Sequence, residues 1–269
     1  MMDENKLLLA SLTDKYERFL QYEYLIVSDF LNLSQQSAVS GLLKRWRAEG
    51  TRVFLFGGLP DAERRMVVFV PSYMEIADEA GLLDYFRQNP QDCPLVLLDL
   101  KIAGGQNRGG RSLSHRDYLG SLLGEGIRRE KMGDILVRPD GAQAVVTREL
   151  GEYLQMHYGK AGNVSLDVEV LPISAADTGV IRRETVEFTV TSPRLDSIVA
   201  GVFHLSRKDA QTAIARGLVF VNETEMLKPD HSLKGGEKLV LRGKGKAIYQ
   251  GVSGTSKKGK VYVTLEKFV

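Results

Sequence analysis

Residues 194–249 read RLDSIVAGVFHLSRKDAQTAIARGLVFVNETEMLKPDHSLKGGEKLVLRGKGKAIY. This stretch predicts two short helices followed by strands. Ser192 is a candidate N-cap, and Pro193 suits a first helical position. Leu195, Ile198, Val199 and Val202 then fall on one stripe of a helical repeat, with Arg194 off it. Ser206 reads as the cap of the second helix, with Asp209 at the matching capping-box position. Ala210, Ala213 and Ile214 face inward there, and Gly217 ends the helix. Arg207 and Lys208 occupy its first turn, where cations oppose the helix dipole at a cost of about a few tenths of a kcal/mol each. A sequence that accepts that cost has a use for the charges, and phosphate groups at a helix N-terminus are one. LVFVN predicts a strand, Asn222 begins a turn, and Lys234-Gly235-Gly236 makes another. KLVLRGKGKAIY returns as a strand whose Arg242, Lys244 and Lys246 alternate with Gly243 and Gly245, a pattern suited to close approach to a nucleic-acid backbone.

Charge separates this end from the rest of the chain. The formal net charge is only +2, yet from residue 194 onward fourteen Lys and Arg stand against seven Asp and Glu, and before it twenty-two stand against twenty-seven. A basic module on a mildly acidic body is an electrostatic footprint for nucleic acid, although a basic tail kept for solubility has the same count. The length of 269 residues fits two or three compact units, and 43% hydrophobic residues exclude a disordered chain. No apolar run reaches the ~18 residues of a membrane span. The N-terminal MMDENKLLLASLTDKYERF, acidic early and with only LLLA as an apolar run, is not read as a secretory signal. The lone Cys93 excludes an intramolecular disulfide framework and a cysteine-based metal cluster. His157, His204 and His231 lack metal-ligand spacing. The expectation is a cytoplasmic α+β protein without metal or cofactor.

Residues 1–83 predict an N-terminal α/β region. Phe19, Leu20, Tyr24, Val27 and Leu31 place a helix over 16–31, and Ser34 caps a second helix through Leu42, Leu43 and Trp46. Residues 52–56 and 66–70 are a strand pair, and Ser72 starts a helix through Ile76, Leu82 and Leu83. Residues 84–181 give strand PLVLLDLKI, helix LSHRDYLGSLLGEG, strands around Pro139-Asp140-Gly141, helix RELGEYLQMHY and strand NVSLDVEVLP. That is the β-α-β-β-α-β order of a ferredoxin-like, RRM-like domain. Leu119, Leu122 and Leu123 are its first helix's apolar stripe, and Leu150, Tyr153 and Leu154 the second's. Residues 182–269 form the third, C-terminal unit.

A sheet that binds RNA by stacking needs exposed aromatics on its middle strands, and LVLLDLKI and QAVVT have none. The candidate surface of the middle domain is instead His115, Arg116, Arg128, Arg129 and Lys131, flanked by Gly124, Gly126 and Gly133. The same residues also read as a solvated helix end whose cations pair with Asp117, Glu130 and Asp134. The loop AGGQNRGGR at 103–111 is not a phosphate-cradling P-loop, since no Gly-Lys-Ser/Thr follows, and reads either as a basic segment that orders on RNA or as a plain connection.

The stretches RLD at 194–196, LSRKDA at 205–210, ARGLVFVN at 215–222 and GGEKLVLRGKGK at 235–246 resemble the S-four-type RNA-binding domain, or αL motif. HRDYLGSLLGEGIRREKMGDILV, at 115–137, resembles a signature of the YlmH family of bacterial proteins, which set an α+β region and an RRM-like domain ahead of the S-four-type module. The resemblance implies binding of rRNA, with tRNA as a further partner, on the large ribosomal subunit. It implies a role in ribosome-associated quality control of stalled peptidyl-tRNA complexes, and a softer link to cell division. By position it makes Arg194, Asp196, Ser206, Arg207, Lys208, Arg216 and Asn222 RNA-binding residues beside Arg242, Lys244 and Lys246.

Three functions remain open on the sequence. The first is a monomeric, non-catalytic RNA-binding ribosome factor. The second is an RNA-modifying enzyme of the pseudouridine-synthase kind, because this motif often rides on enzymes. No catalytic Asp in a synthase-like motif supports it, and His115 and Asp117, two apart on a helix, point in different directions. The third is a division-linked adaptor, which requires an exposed apolar face.

Overall fold

The computed structural model of the protein describes residues 2–104, 113–177, 183–222, 224–256 and 259–268. Most of the AGGQNRGGR loop and the expected junction at 181–182 lie outside the described residues. The chain divides into two compact units, Met1–Thr178 and Gly179–Val269.

The first unit runs α1 (Met2–Tyr22), β1 (Ile26–Val27), α2 (Leu33–Ala48), β2 (Val53–Phe56), β3 (Met66–Phe69), α3 (Glu79–Gln88), β4 (Leu95–Ile102), α4 (His115–Gly124), β5 (Met132–Arg138), β6 (Gly141–Thr147), α5 (Arg148–His157), β7 (Lys160–Ala161) and β8 (Val164–Leu171). A three-stranded antiparallel sheet, β1-β3-β2, and a five-stranded antiparallel sheet, β5-β6-β4-β8-β7, result. Without the short β7, the larger sheet has the β-α-β-β-α-β chain order with its first and third strands adjacent in the middle.

Strand alternation assigns each face of these sheets. In the small sheet Val67 and Phe69 pack with Leu12, Phe19, Leu43 and Trp46 of α1 and α2, while Met66 and Val68 face the other way. In the large sheet Val96, Leu98, Leu100, Ala144 and Val146 pack with Tyr118, Leu122 and Leu154 of α4 and α5. Its opposite face contributes Leu95, Leu97 and Val145 to a core shared with Phe30, Phe54, Phe56, Met66, Val68, Leu82 and Phe86. The expected boundary after Leu83 falls inside α3, within that shared core.

Tertiary pairing overrides several local signals. The helix expected over 16–31 stops at Tyr22, Glu23 turns with φ of 47°, and β-branched Ile26 and Val27 pair with Phe69 and Val68 of β3. Asn32 rather than Ser34 caps α2: its Oδ1 accepts from Gln35 N at 3.0 Å and its N donates to Gln35 Oε1 at 2.9 Å. Ser72 begins only a single 3₁₀ turn, and α3 starts after Asp78, whose carboxylate accepts from Gly81 N at 2.8 Å. Leu123 and Tyr153, read as buried, are 40% and 47% exposed, because Tyr118, Leu122 and Leu154 already fill the space under their helices.

The second unit runs β9 (Arg183–Val190), α6 (Leu195–Val202), α7 (Arg207–Ala215), β10 (Val219–Val221), β11 (Thr224–Glu225), β12 (Glu237–Leu241), β13 (Gly245–Thr255) and β14 (Val261–Phe268). Its antiparallel sheet has the order β11-β10-β12-β13-β14-β9. Leu195, Ile198, Val199, Val202, Ala210 and Ile214 press the two helices onto Val219, Leu239, Ala247, Tyr249, Val263 and Leu265. Arg194, not Ser192, is the N-cap residue of α6, and the α6 amides of Leu195 and Asp196 donate to His231 O at 2.8 Å and Pro229 O at 3.0 Å. The loop holding those carbonyls replaces a side-chain cap. KLVLRGKGKAIY is a hairpin and not one strand: β12 and β13 pair from Leu241↔Gly245 outward, leaving Arg242-Gly243-Lys244 as the loop. Gly243 at φ 78° and Gly245 at φ 122° supply backbone angles that other residues resist.

Candidate nucleic-acid interface

The two helices of the second unit bring their starts together at Asp196. This carboxylate is fully buried, 0% exposed, although α6 is otherwise an apolar helix. Its Oδ2 accepts from Arg207 Nε at 3.0 Å and from Gln211 Nε2 at 2.8 Å. Its Oδ1 accepts from Ser197 Oγ at 3.3 Å and lies 3.4 Å from Arg194 Nε, without hydrogen-bond geometry to the latter. Burial alone would push the Asp196 carboxyl up, but hydrogen bonds from Gln211 and Arg207 and the charges of Arg207 and Arg194 outweigh it and hold the group below its ordinary value. Asp196 is therefore an internal ligand of the arginines and not a group that can touch RNA. Gln211 was missed in the sequence; its signal is the i, i+4 spacing from Arg207.

Around that pivot α7 turns cations outward. Arg207, Lys208, Thr212 and Arg216 are exposed. Ser206 is spent on the cap, accepting from Asp209 N at 3.0 Å and donating to Asp209 Oδ2 at 2.6 Å. Asp209 is engaged with that cap and not with Arg207 or Lys208, and Arg207 takes its carboxylate from Asp196 of the other helix. Gly217, at φ 67°, ends the helix, and Arg242 N donates to Leu218 O at 3.0 Å. The hairpin loop with exposed Arg242 and Lys244 thus lies next to the end of α7 that carries Arg216. Lys246 is half-buried, its Nζ 5.1 Å from the Phe268 ring centre, which the Arg183 guanidinium also approaches, at 4.9 Å. Asn222 sits at the far end of β10 in a left-handed turn at φ 45°, where its Oδ1 accepts from Lys238 N at 2.9 Å. The structure gives Asn222 a turn-making task away from the Arg216 and Arg242 end.

The cationic turn of the middle region behaves differently. Arg129 Nη1 donates to Met132 O at 2.7 Å and Gly133 O at 3.0 Å, and burial lowers its pKa. Lys131 Nζ reaches Asp29 Oδ1 at 2.5 Å, and Arg128 pairs with Glu130 at 3.2 Å. Phe30 N donates to Glu130 O at 2.8 Å, and a Cβ on Gly133 would stand 2.9 Å from the Phe30 ring. The partner that Gly133 admits is an internal aromatic ring. Lys131 ties the turn to Asp29 in the segment after β1, while Arg129 is spent on carbonyls of its own turn, where Met132 O also accepts from Arg64 Nε at 3.0 Å; both cations expected at an RNA surface thus have partners within their own unit. His115 and Arg116 remain exposed at the start of α4, where Asp117 accepts from Ser114 N at 2.7 Å and Ser114 Oγ at 2.6 Å.

The larger sheet presents no stacking platform. Leu95, Leu97 and Val145, on the face opposite α4 and α5, are covered by the shared core. Asp99 and Gln143 on that face are 1% and 2% exposed, bound by Arg138 at 2.6 Å and by Asp177 N at 2.7 Å. Its strand β8, beside the short β7, adds exposed Asp167 and Glu169, which repel phosphate. Among the described residues no group of three or more His, Cys, Asp or Glu could hold a metal ion, and no helix is long and apolar enough to cross a membrane.

Comparison with known proteins bears on both regions. Residues 108–175 match the family model described as "Putative RNA-binding domain in YlmH". The "Ribosome-associated protein quality control protein P2" of Bacillus subtilis (strain 168) is 28% identical over 257 residues, covering 94% of this chain and 91% of the relative. A solved structure, "Cell division protein ylmH from Streptococcus pneumoniae", aligns with a TM-score of 0.46 and 19% identity, over 64% of this chain and 93% of that one. The resemblance to the YlmH family read from residues 115–137 therefore holds, since the matched domain contains all of them and the Bacillus relative extends the likeness over nearly the whole chain.

Proposed function

We propose that this protein is a non-catalytic RNA-binding ribosome factor whose C-terminal unit, an S-four-type module, grips rRNA of the large subunit through its phosphates. The observation that carries the reading is the exposed run of Arg194, Arg207, Lys208 and Arg216 along α6 and α7, continued by Arg242 and Lys244 in the adjoining hairpin loop. Six to eight phosphate contacts on such a surface weaken binding by about 10³- to 10⁵-fold between 50 and 200 mM salt. The middle, RRM-like domain contributes a second, smaller patch from His115, Arg116 and Arg128, and not its sheet. Two RNA-facing patches on one monomer suit a particle that presents both rRNA and tRNA. The name of the Bacillus relative supports placing the activity in cytoplasmic ribosome-associated quality control.

The test is co-sedimentation with large subunits. Arg207→Ala combined with Lys208→Ala is expected to lower association at least tenfold at low salt without unfolding the unit, although loss of the Arg207–Asp196 ion pair lowers the thermal midpoint. Unchanged pelleting would remove this surface from the interface. An altered rRNA nucleotide in a strain lacking the protein would replace binding by catalysis as its role.

A further inference from the structure

A module that needs positive charge for RNA has placed a fully buried carboxylate directly beneath its arginines. Generic electrostatics makes that arrangement a loss, because Asp196 cancels one of the two charges it touches. Its geometry supplies the compensation. Arg194 and Arg207 both face Asp196 with Nε, at 3.4 and 3.0 Å, and Gln211 fills the remaining approach to Oδ2 at 2.8 Å. Neither arginine's Nη groups have a protein partner among the described residues, and the side chains are 39% and 59% exposed. Arg207, hydrogen-bonded through Nε, has one rotational freedom fewer and keeps its outer fork for a phosphate, while Arg194 is held beside the same carboxylate by charge at 3.4 Å.

We propose that Asp196 is a positioning residue that fixes Arg194 and Arg207 as a paired, preoriented guanidinium clamp for RNA phosphate oxygens. The proposal rests on the functional reading above and deepens it: the clamp contributes through orientation as well as through charge. Ser197 and Gln211 hydrogen-bond the carboxylate and hold its two oxygens; Arg207 inherits that orientation through its hydrogen bond, and Arg194 is drawn to the same group by charge.

The experiment measures binding of the full-length protein to purified large ribosomal subunits at one low salt concentration, with wild type, Asp196→Asn, Arg207→Ala, the double variant and Arg207→Lys. Asp196→Asn adds one positive charge to the module, so charge alone predicts tighter binding, whereas lost orientation predicts binding about tenfold weaker. In the Arg207→Ala background the further change Asp196→Asn is expected to have at most a small effect, since half the clamp is already gone. A purely structural role gives full additivity instead. Arg207→Lys keeps the charge at an exposed position and folds whether or not Asp196→Asn does; it is expected to lose about five- to tenfold, because an ammonium cannot bind Asp196 and offer a fork at once. Wild-type-like binding by Arg207→Lys, or equal or tighter binding by folded Asp196→Asn, overturns the clamp while leaving the RNA-binding reading intact. A wild type that ignores the particles overturns both.

Discussion

Arg129 and Arg207 each stand in a short basic run beside a helix, with a neighbouring cation and an acidic residue two positions away or fewer. Arg129 turns inward and spends Nη1 on the carbonyls of Met132 and Gly133. Arg207 turns outward and gives only Nε, to Asp196. The difference lies in what each run meets in three dimensions. Around Arg129, the turn between α4 and β5 leaves backbone carbonyls near a packed ring, Phe30, and a guanidinium is the group with enough donors to satisfy several of them. Around Arg207, the backbone is already satisfied by a serine cap and by helix bonds, and the one internal acceptor is a carboxylate supplied by the other helix. A basic run becomes a surface when the local backbone has no further use for its donors.

The strongest challenge to that contrast is a core deletion. Phe30→Ala removes a ring that is 1% exposed, belongs to the shared core and covers Gly133, and is expected to destabilise the first unit by about 3–5 kcal/mol. Cys93, the only cysteine of the chain, lies in the same core with its thiol pushed up to about 12 by burial, so its rate of labelling by a thiol reagent reports opening of that core. Faster labelling without loss of either sheet's far-ultraviolet signal would mean that the two sheets separate and do not share one cooperative unit. Next in size, Arg129→Ala takes the charged donor from Gly133 O and one of two from Met132 O, which keeps Arg64 Nε at 3.0 Å, and is expected to cost about 1–2 kcal/mol by urea denaturation. Its binding to large subunits, measured where the variant is folded, should stay within twofold of wild type. A stable variant with weakened RNA binding would put Arg129 back on the interface and dissolve the contrast.

How much of this was legible beforehand follows the range of the interactions. The stripes of α6 and α7, the capping pair Ser206 and Asp209, and the alternation of the five-stranded sheet depend on neighbours within a few residues, and the sequence carries them openly. The extent of α1, the fate of residues 26–27 and the covering of Leu95, Leu97 and Val145 depend on contacts with other elements of the chain, and no local period encodes them. β9 and β14 went unread although TVEFTV alternates, because the partner of each lies at the other end of the unit. Gly201 marks that contact: a Cβ there would come within 2.1 Å of the Phe188 ring of β9. At the candidate site the exposed cations were legible as cations. Their holder was not, since Asp196 in RLD looks like any acidic residue of a helix first turn until Arg207 and Gln211 arrive from the next helix.

Asp196 also gives the second unit an acid sensitivity. Its folded-state pKa lies below the ordinary carboxylate value, so the unfolded chain takes up the proton first as pH falls. The stabilisation is fully present above the ordinary carboxylate range and is lost as pH drops through that range toward the lowered value. Urea midpoints of the full chain measured across that window should fall with decreasing pH, and Asp196→Asn should flatten part of the slope. An unchanged slope would mean that the carboxylate is equally solvated in both states and that the Arg207 and Gln211 bonds contribute nothing net.

The smallest effect separates the two partners of Arg129. Lys131 meets Asp29, and Arg128 meets Glu130, with side chains between 39% and 67% exposed. Ion pairs at that exposure contribute about 0–1 kcal/mol and fade with salt. Lys131→Ala should therefore shift the denaturation midpoint slightly at low salt and hardly at all at high salt, whereas the Arg129→Ala loss should persist at both, because the Gly133 carbonyl loses its donor whatever the ionic strength. Arg128→Ala should leave stability unchanged and weaken ribosome association modestly, since Arg128 is the member of the run that faces solvent. If Lys131→Ala proved as damaging as Arg129→Ala at high salt, exposure would no longer be what divides the structural cations from the binding ones, and the inward turn would have to be explained by charge pairing instead of by backbone satisfaction.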